Sequence, residues 1–169
     1  MKPETITKQI FKIIPALLLV TLSAFLLQGD VWTFWTWYLL ALVLGAAAMP
    51  LTGRLFRRFQ DRGWMFSKVT AIAVSGFLTW FLVAVKIIKF TTMTCIVVTL
   101  VCAAASLILY CREQKAGFEC IPFAHLDLVY AEELLFFTAF LLWTYFAGFH
   151  PAAYGTEKFM DYGFMEAMM

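Results

Sequence analysis

The sequence consists of long apolar runs that are separated by short polar segments. Each run is about 17–22 residues long, close to the ~20 residues that an α-helix needs to cross a ~30 Å hydrocarbon layer. Because unpaired backbone groups are costly in lipid, such runs cross a membrane as helices. We therefore predict that residues 1–149 form an all-α, polytopic transmembrane helix bundle of about five spans. The predicted spans are about 10–27, 31–49, 69–88, 94–110 and 128–149.

Composition supports an integral membrane protein and excludes several soluble classes. Hydrophobic residues make up 63% of the 169 residues and charged residues 14%, against roughly 45–50% and about 25% in soluble domains. The net charge of +2 provides no basic surface for nucleic acid, so we expect none as a partner. Cys95, Cys102, Cys111 and Cys120 lack metal-ligand spacing. The sequence has no glycine-rich phosphate loop and no nucleophile elbow, the motifs of two soluble enzyme classes. The partner that we expect is the lipid bilayer.

The positions of the basic residues predict an orientation in the membrane. With the N-terminus inside, only Lys86, Lys89 and Lys158 of the 13 Lys and Arg residues lie outside. Cytoplasmic segments normally carry the excess of Lys and Arg. We therefore predict a cytoplasmic N-terminus and an extracytoplasmic C-terminus, in the plasma membrane of a prokaryote. The residues predicted inside are Lys2, Lys8, Lys12, Arg54, Arg57, Arg58, Arg62, Lys68, Arg112 and Lys115.

The most basic segment is 51–68, where five Lys and Arg residues accompany the single acid Asp61. Pro50 predicts the end of the second span. Apolar residues at helical spacing then predict a short amphipathic helix on the inner leaflet. Two interpretations stay open, a loop that sets the topology and a site for a lipid phosphate or pyrophosphate.

Glu132 and Glu133 lie in the first turns of the fifth run. Acids inside a membrane are functional candidates, but acids near an interface can also snorkel to water. We place no charge at the centre of any run, and few glycines or prolines interrupt the runs. Both features argue against a transporter, in which broken helices and central charges are typical.

The C-terminal segment 150–169 brings two carboxylates next to the last apolar run. Gly155 breaks the chain, Thr156 can cap a helix, and Glu157 suits its first turn. Glu157 and Asp161 are four residues apart, so they share one face of that helix. Most of the following residues are apolar. We predict an extracytoplasmic loop and the start of a short interfacial helix after the last span.

Four strings of the sequence together carry a resemblance to a known family. They are Pro50-Leu51-Thr52-Gly53-Arg54-Leu55-Phe56, Asp61-Arg62-Gly63, Glu132-Glu133-Leu134-Leu135-Phe136 and Gly155-Thr156-Glu157-Lys158-Phe159-Met160-Asp161-Tyr162-Gly163-Phe164. These strings resemble the N-terminal part of the Chlor_Arch_YYY family of multi-spanning membrane proteins. The resemblance implies a glycosyltransferase of the GT-C fold in the cell envelope, with a polyprenyl-phosphate sugar as donor on the extracytoplasmic face.

The resemblance also implies roles for residues of the last string. Asp161 is the candidate catalytic base, and Glu157 is its partner. Both are candidate ligands for Mg²⁺ or Mn²⁺, because hard cations prefer carboxylate oxygen. Lys158 of this string and Tyr154, the residue directly before it, are candidate substrate-binding residues. Phe159 stands where the family usually has proline, which alters the turn but keeps the acids.

Members of the resembled family continue for several hundred residues beyond this region. We therefore expect the chain to be a fragment, a split relative or a degenerate relative, inactive alone, with a further membrane chain as the partner that completes its fold. The alternative interpretation is a non-enzymatic membrane assembly subunit or a transporter fragment.

Overall fold

The computed structural model describes residues 3–118 and 121–149, with side chains described from residue 13 onward. This part of the chain contains five α-helices and no strand, so the predicted all-α class is confirmed. Two 3-10 turns, Gln28–Asp30 and Phe123–His125, lead into the second and fifth helices. The predicted interfacial helix in 150–169 lies outside the described residues. The helices are α1 Pro3–Leu27, α2 Val31–Leu55, α3 Trp64–Ala84, α4 Thr92–Lys115 and α5 Leu126–Gly148.

Three helical stretches, 13–55, 64–84 and 92–115, are long and apolar enough to cross a membrane. The first has 43 residues, which corresponds to ~65 Å of helix, about twice the ~30 Å hydrocarbon thickness. The 3-10 turn at Gln28–Asp30 divides it into α1 and α2, and Gln28 adopts a φ of 43°. The structure thus has membrane-spanning helices, while the number of five crossings stays a prediction.

The helices α2, α3 and α4 pack together as one unit. Gly45 of α2 makes the closest approach to α3, because a Cβ there would lie 2.8 Å from Cγ of Lys68 and 2.9 Å from Oγ of Ser67. Small residues allow such close helix pairs in membranes. The absence of a side chain at position 45 therefore decides how near α3 comes to α2.

Aromatic packing joins α5 to α1 and α2. Leu27, Phe34, Tyr38, Phe137 and Leu141 form a buried cluster. The ring of Phe137 meets those of Phe34 and Tyr38 edge to face, with centroids 5.4 and 4.9 Å apart. Edge-to-face pairs contribute about 0.5–1.5 kcal/mol beyond the area they bury. This cluster fixes the position of α5.

The prediction that Pro50 ends the second helix is wrong, because α2 continues through a buried Pro50 to Leu55. Helices in membranes tolerate proline where neighbouring groups pack around the freed backbone. The Thr52 hydroxyl also donates to the carbonyl of Met49 at 3.1 Å. The predicted amphipathic helix within 51–68 is wrong as well. Residues 56–63 form turns, and α3 begins at Trp64.

Ion pairs join the C-terminal ends of α2 and α4. Glu113 forms an ion pair with Arg54 at 3.2 Å and accepts a hydrogen bond from Arg57 at 3.0 Å. The guanidinium groups of Arg57 and Arg62 lie over the ring of Phe118, at 4.1 and 4.9 Å. We call this part of the bundle, residues 54–62 and 112–118, the basic end.

Candidate functional site

Glu133 of α5 accepts hydrogen bonds from three side chains of two other helices. Tyr38 of α2 donates its hydroxyl to Oε1 at 2.7 Å. From α3, the indole of Trp64 donates to Oε2 at 2.9 Å, and the ammonium of Lys68 donates to the same oxygen at 2.7 Å. One carboxylate thereby connects α2, α3 and α5.

Lys68 is only 2% exposed, although it carries a charge. Trp64 precedes it by one helical turn, so both side chains lie on the same side of α3. The ammonium lies 4.8 Å from the Trp64 ring centroid and 4.5 Å from that of Phe136. Aromatic faces attract a desolvated cation by about 2 kcal/mol. These rings and Glu133 together compensate for the loss of hydration around Lys68.

Local structure places Trp64 and Lys68 at the start of α3. Gly63 precedes the helix with a φ of 77°, in the left-handed region that favours glycine. A Cβ at Gly63 would lie 2.6 Å from a ring carbon of Phe56. Gly63 therefore allows the turn after α2 to pass directly into α3.

Two more carboxylates lie near the Lys68–Glu133 pair. Asp61, in the turn before α3, is 8% exposed. Glu132 interacts electrostatically with both Asp61 and Lys68. Its Oε2 is buried and has no hydrogen-bond partner in the described part of the chain. We call Tyr38, Asp61, Trp64, Lys68, Glu132 and Glu133 the buried charge cluster.

The buried charge cluster contains three carboxylates and one ammonium group. In residues 3–118 and 121–149, no group of three His, Cys, Asp or Glu residues is placed to hold a metal ion. The hydrogen bonds of Glu133 instead hold the first turns of α5 against α2 and α3. This arrangement fixes the helix that precedes segment 150–169 in the chain.

The residues for which the sequence predicts catalysis are not among those described. Tyr154, Glu157, Lys158 and Asp161 all lie in 150–169, outside the described residues. Their catalytic, substrate-binding and metal-binding roles therefore stay predictions. The same holds for the choice between Mg²⁺ and Mn²⁺.

The structure changes the interpretation of two other charged residues. The sequence placed Lys68 at the end of the basic segment 51–68, before the third span, and this placement is wrong because Lys68 lies buried in α3. Glu133 does not snorkel, since its carboxylate is held by three donors inside the bundle. Tyr38 and Trp64 were not predicted as members of a site. The sequence signal that could have pointed to this site was the acidic pair Glu132 and Glu133 within an apolar run. A buried acid of this kind needs a basic or hydrogen-bonding partner.

Residues 74–169 match the profile of a family described as uncharacterized membrane protein (DUF2298). The matched region is more than half of the 169 residues. It begins within α3 and includes α4, α5 and the acidic string in 150–169. No curated protein and no solved structure matches the sequence significantly. The family match supports a membrane protein, while the predicted Chlor_Arch_YYY and GT-C assignment stays a prediction.

Proposed function

Given that the chain belongs to the DUF2298 family of uncharacterized membrane proteins, we propose that it is the N-terminal membrane portion of a GT-C-type glycosyltransferase. The proposed donor is a polyprenyl-phosphate sugar on the extracytoplasmic face. The observation that carries the proposal is the acidic string Gly155–Gly163. It follows α5 closely in sequence and lies inside the region that matches the family.

In the proposed reaction, Asp161 accepts the proton of the acceptor hydroxyl as that oxygen attacks the sugar carbon. A positioned carboxylate base typically contributes 10²–10⁴-fold to a rate, an order-of-magnitude range. Lys158 pairs with the departing lipid phosphate, and Tyr154 contacts the sugar. Glu157 orients Asp161, and together the two acids would supply oxygen ligands to Mg²⁺ or Mn²⁺, which would offset the charge of the leaving phosphate.

The buried charge cluster supports a positioning role for α5 in this proposal. Glu133 holds the first turns of α5 to α2 and α3, and the aromatic cluster around Phe137 holds its middle. Because α5 directly precedes segment 150–169 in the chain, the proposal requires α5 to be held in a fixed position. Misplacing a catalytic group by ~1 Å can cost about 10²-fold in rate.

The test is sugar transfer from a polyprenyl-phosphate sugar to endogenous acceptors. Membranes would carry the protein expressed from its complete reading frame. We expect Asp161→Asn to lower the rate by at least ~100-fold and Glu157→Gln by at least ~10-fold. Chelation of divalent cations should lower transfer by the wild-type protein.

Glu166→Gln is the matched control, because Glu166 lies in the same segment but outside the acidic string. It should keep transfer within about twofold of the wild type, because the proposal gives Glu166 no role in the reaction. Undiminished transfer by Asp161→Asn and Glu157→Gln would refute the catalytic assignment. Under the alternative of a non-enzymatic assembly subunit or transporter fragment, no variant would show transfer. The chain would then co-purify with a larger membrane protein.

A further inference from the structure

Three arginine side chains converge at the basic end of the bundle. Glu113 forms an ion pair with Arg54 and accepts a hydrogen bond from Arg57, so the two guanidinium groups flank one carboxylate. The guanidinium groups of Arg57 and Arg62 in turn lie over one ring, that of Phe118, at 4.1 and 4.9 Å from its centroid. We call Arg54, Arg57 and Arg62 the arginine cluster.

The arginine cluster keeps most of its hydrogen-bond donors available. A guanidinium group has five N–H donors. Arg54 and Arg57 pair only with Glu113, and their side chains are 56% and 54% exposed. Arg62 donates through one nitrogen to the carbonyl of Arg57 at 2.6 Å. No other acceptor contacts these three groups in the part of the chain that the structure describes, so a further anion can be bound.

The backbone at Arg62 holds its side chain in place. Arg62 has a φ of 54°, in the left-handed region that residues other than glycine rarely adopt. Backbone of this kind persists where the surrounding contacts over-determine it, and it is concentrated at ligand sites. Here those contacts are the Arg57 carbonyl and the Phe118 ring. They keep the Arg62 guanidinium beside that of Arg57.

The charge of the arginine cluster selects the class of ligand. Three guanidinium groups and the Glu113 carboxylate leave two net positive charges. A phosphate monoester carries about −1.5 to −2 charges at pH 7, whereas a phosphate diester carries a single negative charge. The planar guanidinium fork also matches a pair of phosphate oxygens. A phosphate monoester therefore balances the cluster better than a diester.

The arginine cluster lies where two long apolar helical stretches end. Stretches 13–55 and 92–115, which are long and apolar enough to cross a membrane, end at Leu55 and Lys115. Leu55 and Phe59 are 65% and 52% exposed beside the arginines. If these helices cross a bilayer, the cluster lies at the level of the lipid headgroups. Phosphate groups of lipids and of soluble molecules can both reach it there.

We propose that Arg54, Arg57 and Arg62 bind a phosphate monoester group, carried by a membrane lipid or present as soluble phosphate. Arg57 and Arg62 donate hydrogen bonds to the phosphate oxygens, and Arg54 adds positive charge. Glu113 and Phe118 are positioning residues, because they hold the guanidinium groups together.

The first test compares two phosphate chemistries on the purified full chain. Phosphatidic acid, a monoester, and phosphatidylglycerol, a diester, would have identical acyl chains and be titrated separately by native mass spectrometry. We expect phosphatidic acid to bind about fivefold more tightly, because it carries more negative charge. Calorimetric titration with inorganic phosphate tests the soluble source. Neither titration uses segment 150–169 or a sugar donor, so failure here leaves the proposed sugar transfer untouched.

The second test changes single arginines. Arg62→Gln should weaken the bound ligand at least ~10-fold, the loss expected for hydrogen bonds to a charged group. Arg62→Lys keeps the charge but loses the planar fork, so binding should still weaken at least ~3-fold. Arg58→Gln is the matched control, because it removes the same charge from the same turn. Arg58 contacts neither Glu113 nor Phe118. Its loss should weaken binding only about twofold, through general attraction.

The outcomes separate the two sources and expose a wrong proposal. Preference for phosphatidic acid that Arg62→Gln abolishes would identify a lipid ligand. Binding of inorganic phosphate that Arg62→Gln abolishes would identify a soluble ligand. Equal losses in Arg62→Gln and Arg58→Gln would overturn the proposal, because general attraction would then explain the binding. So would equal binding of the two lipids without binding of inorganic phosphate. If Arg62→Gln does not fold, Arg62→Lys decides.

Discussion

At the scale of single residues, Glu133 determines how α5 joins the bundle. Its two carboxylate oxygens accept from Tyr38, Trp64 and Lys68, and the Lys68 side chain is almost fully shielded from solvent. Removing one partner of a buried ion pair leaves the other charged and unpaired, which typically costs about 3–5 kcal/mol. Replacing both partners is often far less costly. The pair should therefore show strong coupling.

We predict that Lys68→Met and Glu133→Gln each lower the free energy of unfolding by ~3 kcal/mol. The double variant should lose clearly less stability than the sum of the two single losses. The difference, which is the coupling energy between Lys68 and Glu133, should reach up to ~3 kcal/mol. Denaturant unfolding in detergent would give the free energy of unfolding of the wild type, the two single variants and the double variant. Lys89→Met, at an exposed lysine, serves as the control. Small and additive losses would mean that Lys68 and Glu133 do not interact as the structure indicates.

The sequence identified only part of this cluster. Glu132 and Glu133 were candidates because they are acids within an apolar run. Lys68 was not, because it was counted with the arginines of the basic segment. Its burial depends on where α3 begins, and that is fixed by Gly63 and the Phe56 ring that packs on it. Such contacts between distant residues cannot be read from local hydropathy.

At the scale of helices, the close contact of α2 with α3 depends on Gly45. Any side chain at position 45 would meet Cγ of Lys68 and Oγ of Ser67 at less than 3.0 Å. Overpacking of this kind costs about 1–3 kcal/mol. It would also displace the Lys68 ammonium from Glu133.

We predict that Gly45→Ala lowers the free energy of unfolding by ~2 kcal/mol. Gly76→Ala is the matched control, because a Cβ at position 76 meets nothing within 4 Å. Alanine is the better helix former, so Gly76→Ala should be neutral or stabilising by up to ~1 kcal/mol. Thermal unfolding in detergent would distinguish Gly45→Ala from Gly76→Ala. Equal effects of the two substitutions would contradict the described α2–α3 packing.

Helices were predictable from the sequence, but their ends were not. Apolar runs about 20 residues long predicted helices near all five observed positions. However, α2 passes Pro50 to end at Leu55, and α4 continues to Lys115. Both extended ends carry the residues that pair across the basic end, Arg54 with Glu113. Ion pairs between distant residues therefore stabilise the last turns of α2 and α4, which the polar sequence alone predicts to be loops.

At the scale of the whole molecule, the proposed function requires two separate ends of the bundle. The basic end joins the C-terminal ends of α2 and α4. Segment 150–169 follows the C-terminal end of α5, which has 23 residues and is ~34 Å long. By length such a helix can cross a ~30 Å hydrocarbon layer, although α5 is not among the three described stretches that are both long and apolar enough to span a membrane. If α5 crosses, Glu157 and Asp161 lie across the membrane from its first turns.

The most direct test of this placement is cysteine labelling in intact cells with a membrane-impermeant maleimide. Cys95, Cys102, Cys111 and Cys120 would first be replaced by serine or alanine, and a single cysteine introduced as Lys158→Cys or Arg58→Cys. We predict that the cysteine at position 158 is labelled from outside the cell. The cysteine at position 58 should be labelled only after permeabilisation. Labelling at position 158 only after permeabilisation would contradict the extracytoplasmic acids and the sugar-transfer proposal that depends on them.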